Sequence, residues 1–257
     1  MKSRLLRAQQ LINRVDAQET TPTLVHGKEW LEEREFVNTG KSPTKNEQFD
    51  KDGFLTLPGF ADVSSLIESP PPERGMFIYR GDRLEELRAE EQVHGSLSRY
   101  NLPSFRELQY QLKPKIEKII GKKLHATYAY DRYYFPGQDL EVHVDRPACE
   151  ISVTVNISGN LKQPWPIWLK KPDVYENEVV VSRGRNCPAF TAPGDAVLYK
   201  GCERPHWRDP MKSNYGKWES AWRTIRGKED DSYYHQIFIH YVMQDGVYSH
   251  CCNDYVK

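Results

Sequence analysis

The sequence has no excess of charge of either sign: Lys and Arg together number 36, as do Asp and Glu. Bulk electrostatic attraction therefore cannot select its partners, and neither nucleic acid nor an anionic membrane is expected among them. It has no run near the roughly 18 apolar residues that cross a bilayer. Its opening, MKSRLLRAQQLINRVDAQE, is charged and amphipathic, without the apolar block of a secretory signal. The expectation is a soluble, cytoplasmic protein. Cysteine is sparse: the five residues Cys149, Cys187, Cys202, Cys251 and Cys252 are odd in number and contain no CxxC pair. That excludes a disulfide framework and a structural zinc cluster. No repeat of roughly 20–50 residues is present, which excludes a solenoid or a propeller.

What is present is aromatic and β-forming. Tyr (15), Trp (6) and Phe (9) make up 12% of the chain, and most lie after residue 125, among short alternating segments: LHATYAYDRYYF, LEVHVD, EISVTVNIS, WPIWLK, EVVVSR, AVLYKG and YYHQIFIHYVM. Gly- and Pro-containing turns separate them, as between strands of a double sheet. Residues 1–48 read as a lead-in, with a first helix followed by the polar TGKSPTKNEQ. FDKDGFLTLPGF (49–60) then begins the folded domain, with KDG as a turn and FLTL as a strand. SPPPERG (69–75) breaks the chain and FIYRG restarts it as a strand. SFRELQYQLKPKIEKIIGKK predicts a helix over about 104–120, with Ser104 as cap, Glu107 three residues on, and Phe105, Leu108, Leu112, Ile116, Ile119 and Ile120 on its apolar face. Residues 208–232 read as one long polar loop, of the kind that serves as a lid or an insertion. The fold class expected is mainly β with flanking helices: a jelly-roll, cupin-like double-stranded β-helix filling residues 49–250 as one domain.

The chemistry centres on HVD, 143–145. Residues i and i+2 of a strand project from one face, so the His143 imidazole and the Asp145 carboxylate can reach one ion. A divalent iron held by two His and one carboxylate keeps further positions open for reactants. Alone, HxD is equally a hydrogen-bonded polar pair on a sheet. A third ligand must come from a distal His. His26, His94, His125 and His250 lie in unsuitable contexts, leaving His206, His235 and His240. His206 stands out at the exit of the strand in APGDAVLYKGCERPHWRDP. His235 and His240 differ in parity, so they should face opposite sides of their strand.

The order FDKDGFLTLPGF, helix, YYFPGQDLEVHVD, SVTVNIS, APGDAVLYKGCERPHWR and a closing QIFIHYV resembles the Fe(II)/2-oxoglutarate-dependent dioxygenases, in particular their prolyl-hydroxylase and phytanoyl-hydroxylase-like branches. The likeness spans about residues 49–246. It implies His143, Asp145 and His206 as iron ligands, with 2-oxoglutarate as cosubstrate, O2 as oxidant and ascorbate as accessory reductant. It also implies hydroxylation of a C–H bond, with release of succinate and CO2, on a substrate that is a small molecule or a protein side chain. Halogenating members lack the carboxylate that Asp145 supplies, which favours hydroxylation here.

The sequence departs from the family at the anchor for the 2-oxoglutarate distal carboxylate, since the last strand, YYHQIFIHYV, has no Arg or Lys. Arg208, two residues past His206, is the substitute read from the residues, because its planar fork suits a carboxylate. The adjacent Asp209 alternatively offers Arg208 an ordinary ion pair. Lys217, Arg223 and Arg226 lie in the expected loop and would position an anchor poorly. Tyr134 and Asn156 are further candidates to hydrogen-bond the cosubstrate. Trp165 and Trp168 read as core or rim aromatics, and Cys149 and Cys202 as small buried hydrophobes. The missing last-strand cation keeps a second class open, a cupin-like metal-binding or structural protein without oxygenase turnover.

Overall fold

The computed structural model describes residues 43–69, 77–80, 83–86, 92–93, 95–176, 179–228 and 230–254. Most of the 1–48 lead-in, the SPPPERG break from residue 70, His26 and His94 lie outside them. In chain order the elements are α1 (Glu47–Asp52), β1 (Phe54–Leu57), β2 (Phe77–Arg80), β3 (Arg83–Glu86), β4 (Leu97–Tyr100), α2 (Pro103–Ile120), β5 (Leu124–Tyr134) and β6 (Leu140–His143). There follow β7 (Ile151–Gly159), β8 (Ile167–Lys170), β9 (Val174–Glu176), β10 (Val179–Ser182), β11 (Asn186–Ala189), β12 (Ala196–Lys200), β13 (His206–Arg208), α3 (Lys217–Ile225) and β14 (Tyr234–Met243). The fold is mainly β, as expected, and no helix among the described residues is long and apolar enough to cross a membrane.

Two sheets carry the architecture. One has eight strands in the order β1-β12-β7-β14-β5-β4-β2-β3, and the other four in the order β11-β8-β13-β6. Pairing is antiparallel throughout except between β2 and β4. β9 and β10 pair separately. Strand β7 explains the layering. Its Ile151, Val153, Val155 and Ile157 join the α2 residues Phe105, Leu108, Leu112, Ile116 and Ile120 in one buried cluster, where each Ile or Leu contributes about 1.5–3 kcal/mol. Ser152, Thr154 and Asn156 point the other way and are also buried. Across the ladder they face His240, Phe238 and Gln236 of β14. The inner face of the large sheet thus carries buried polar groups beside Phe238, and that face meets the site.

Three local expectations are corrected. KDG is the end of helix α1 rather than a separate turn ahead of the FLTL strand: Asn46 caps the helix start, and Gly53, at φ 78°, closes its end in the left-handed region that glycine tolerates. Helix α2 is not capped by Ser104. It begins at Pro103, whose missing N–H would have had no helical partner anyway. The long 208–232 loop contains helix α3. Trp218, Ala221, Trp222 and Ile225 stand at helical spacing in the sequence, a short stripe obscured by the charged and polar residues around it; in the fold Trp218, Trp222 and Ile225 are 85%, 60% and 76% exposed.

Candidate metal centre

His143 ends β6 and His206 begins β13. The two are direct register partners, with ring centroids 4.3 Å apart. Asp145 lies just past the end of β6 rather than within it, held by its N–H donating to Gly201 O at 2.9 Å. The side chain still turns to the same side. Asp145 Oδ1 is 3.7 Å from His143 Nε2 and 3.5 Å from His206 Nε2.

The neighbours fix the chemistry of these atoms. Each imidazole has its Nδ1 beside a backbone carbonyl, His143 at 2.7 Å from Glu141 O and His206 at 2.9 Å from Arg204 O. A carbonyl only accepts, so Nδ1 carries the proton and Nε2 a lone pair. The Ser152 hydroxyl donates to Asp145 Oδ2 at 2.8 Å, leaving Oδ1 toward the rings. Two imidazole lone pairs and a carboxylate oxygen therefore converge, an arrangement that a cation between them relieves. Backbone-oriented imidazoles and a hydrogen-bonded carboxylate are also the outer-shell arrangement that metal ligands need. Burial alone would raise the Asp145 carboxyl, but His206, His240 and His143, when protonated on both nitrogens, outweigh it and hold the group below the usual carboxylate range. Gly201 permits the approach: a Cβ there would lie 2.2 Å from Cys149 O and 2.5 Å from Asp145 Oδ2.

Next to this trio lies a buried cation. Arg208 donates through Nη1 to Trp165 O (2.7 Å) and through Nη2 to Gln236 Oε1 (2.5 Å) and Tyr234 Oη (3.3 Å). Its guanidinium sits over the rings of Trp165 and Tyr234. All three acceptors are neutral, and Arg208 Nε has no partner. Asp209 does not pair with it; it accepts instead from the indole N–H of Trp168, at 2.9 Å. Trp165 itself is partly buried against the cluster that holds Tyr134, Tyr234 and Phe238. On the inner face of the large sheet Thr154 Oγ1, Asn156 Oδ1 and Gln236 Nε2 are likewise buried without partners. The buried guanidinium with its unused Nε, together with the donors Thr154 Oγ1 and Gln236 Nε2, suits an acidic ligand with several acceptors such as 2-oxoglutarate, whereas Asn156 Oδ1 can only accept.

The other expected residues are distributed as follows. Asn156 Nδ2 donates to Thr191 O at 2.7 Å. Tyr134 Oη accepts from Arg132 Nη1 at 3.2 Å. His240 lies inward, Nδ1 3.0 Å from Ser152 Oγ, whereas His235 faces the opposite side, stacks on Tyr133 and meets Asp131 Oδ2 at 2.8 Å, as the parity required. Arg223 pairs with Asp231, and Arg226 lies over Trp222. Cys149 and Cys202 are buried, and Cys149 belongs to a second grouping, with His240 and Asp145, that shares the same carboxylate. Gln236, Arg132 and Gln92 were missed. For Arg132 a signal existed: a charge at the inward parity of Tyr128, Tyr130 and Tyr134 on β5.

No known family pattern matches the chain, and no curated protein does. Solved structures similar to it include a Pseudomonas putida prolyl-4-hydroxylase, with TM-score 0.48 and 11% identity over 76% of this chain and 95% of that one. Another is HygX from Streptomyces hygroscopicus with nickel, 2-oxoglutarate and hygromycin B bound, with TM-score 0.49 and 13% identity over 76% of this chain and 84% of that one. A third is EctD from S. alaskensis with 2-oxoglutarate and 5-hydroxyectoine, with TM-score 0.48 and 13% identity over 75% of this chain and 73% of that one.

Proposed function

We propose that the chain is a non-haem Fe(II)- and 2-oxoglutarate-dependent oxygenase that hydroxylates a C–H bond, built on a double-stranded β-helix jelly roll. The observation that carries this reading is the convergence of His143 Nε2, Asp145 Oδ1 and His206 Nε2 beside the buried Arg208 with its neutral partners. When bound, iron and 2-oxoglutarate would let O2 act as the oxidant, with two of its four electrons coming from 2-oxoglutarate, which leaves as succinate and CO2, and two from the substrate C–H bond.

The protein's own part is to hold and to exclude. His143, Asp145 and His206 hold the metal on one side, leaving other positions to reactants. Arg208 takes the distal carboxylate of 2-oxoglutarate, replacing the last-strand cation that β14 lacks. Gln236 of β14 takes part through Nε2, and Thr154 of β7 donates its hydroxyl proton. Tyr134 and Asn156 flank the same region. The stacked and buried Tyr100, Tyr130 and Phe238 form an apolar wall that keeps bulk water from the reacting centre. The test is succinate release from 2-oxoglutarate with Fe(II) and ascorbate. Wild type should release it and His143→Ala should fall to background. Equal release by both proteins would remove His143 from the metal centre, and no turnover together with no 2-oxoglutarate binding would leave the cupin-like binding protein as the better reading.

A further inference from the structure

Gln92 touches an atom that the metal needs. Its Nε2 lies 3.2 Å from His143 Nε2, while its Oε1 accepts from Arg132 Nη2 at 3.1 Å. The orientation of the carboxamide follows from its partners. A guanidinium only donates, so the oxygen faces Arg132 and the NH2 group faces His143. The His143 proton is committed to Glu141 O through Nδ1, so Nε2 accepts from Gln92 through its single lone pair. Arg132 is fully buried on the inner face of β5 and is itself held, Nε donating to Ser98 Oγ at 3.1 Å and Nη1 to Tyr134 Oη at 3.2 Å. Gln92 is therefore presented to the imidazole by a fixed arm.

One lone pair cannot serve a hydrogen bond and a metal together. We propose that Gln92 is a competing gate on the metal centre: it occupies the donor atom of His143, and a metal ion gains that ligand only by displacing the carboxamide from the Arg132 arm's hold on the ring. This rests on the reading of His143 as a metal ligand. Its consequence is that the chain binds metal more weakly than its three ligands alone would allow, and that occupancy of the metal centre is felt at Arg132 on β5.

The test is Co2+ affinity by anaerobic absorption titration of the full chain, comparing wild type, Gln92→Ala and Gln92→Leu, with His143→Ala as control. Both Gln92 variants should bind Co2+ about fivefold more tightly, the worth of one net hydrogen bond. A merely structural role for Gln92 moves affinity the other way, because a loosened site binds less well. Leu keeps the bulk without the donor, so tightening in both variants assigns the effect to the hydrogen bond. Unchanged or weakened binding in both, or tightening in Gln92→Ala alone, overturns the gate. If wild type binds Co2+ no better than His143→Ala, the metal reading itself falls, an outcome separate from a gate failure in a protein that does bind.

Discussion

At the scale of single residues the site depends on close approaches that few side chains permit. Gly201 is the sharpest case: an added methyl would meet the backbone oxygen of Cys149 as well as the Asp145 carboxylate, and the backbone cannot step aside cheaply. Gly201→Ala should cost about 1–3 kcal/mol in thermal or urea melts and weaken metal binding as Asp145 is pushed away. Arg208 has the opposite balance. It is a buried cation bonded only to neutral acceptors, so Arg208→Met, which keeps the apolar contact with Trp165, should fold. It should lose 2-oxoglutarate affinity by at least about 30-fold in calorimetry, the cost of removing one partner of a buried charged pair. The sequence exposed this chemistry unevenly. HVD and the distal His206 were legible because strand parity and element order speak directly of them. Gln92 was not, because a single polar residue in an irregular segment carries no pattern, and only the folded chain brings it to His143.

At the scale of elements, helix α2 and strand β5 are tied at their junction by one carboxylate. Glu117 accepts from Lys113 (2.8 Å), Lys123 (2.9 Å) and the Leu124 N–H (3.0 Å). Burial alone would raise this carboxyl, but these donors outweigh it and lower it to about 2. A depressed carboxyl stabilises the fold fully above its unfolded value near 4.5 and loses that contribution as pH falls through about 2. Glu117→Gln should therefore lower the melting temperature at pH 7, and the gap from wild type should shrink as pH falls from about 4.5 toward 2. Helix α3 makes a contrasting forecast. Trp218 and Trp222 are exposed, so replacing either by Ser should change stability by less than about 0.5 kcal/mol in the same melts. Helix α2 and the long strands were readable because their apolar periodicity faces a core. Helix α3 was not, because its stripe of Trp218, Ala221, Trp222 and Ile225 is only about two turns long and lies within a charged, polar stretch. The N-cap of α2 was misjudged because the helix starts earlier, with Leu102 as a cap that makes no side-chain hydrogen bond and Pro103 at its first position.

At the scale of the whole molecule, the site exists only where the two sheets meet. The four-stranded sheet supplies His143 and His206 through neighbouring strands, and the eight-stranded sheet supplies Ser152, Thr154 and Gln236. Metal binding is then coupled to sheet packing, and a bound ion should stabilise the fold by about 2.7 kcal/mol at a hundredfold excess over Kd. Melts with and without Co2+ check this, and His143→Ala should show no shift. The mainly β class was legible from alternation and turns. The position of Arg208 against Gln236 was not, since it depends on β13 lying across from β14, a tertiary fact that no local pattern encodes. The most direct test of the central claim is calorimetric titration of 2-oxoglutarate into the Fe(II)-loaded chain under argon. The account predicts saturable binding to wild type, none to His143→Ala, and at least about 30-fold weaker binding to Arg208→Met. Equal binding by all three proteins, or none by wild type, would contradict it.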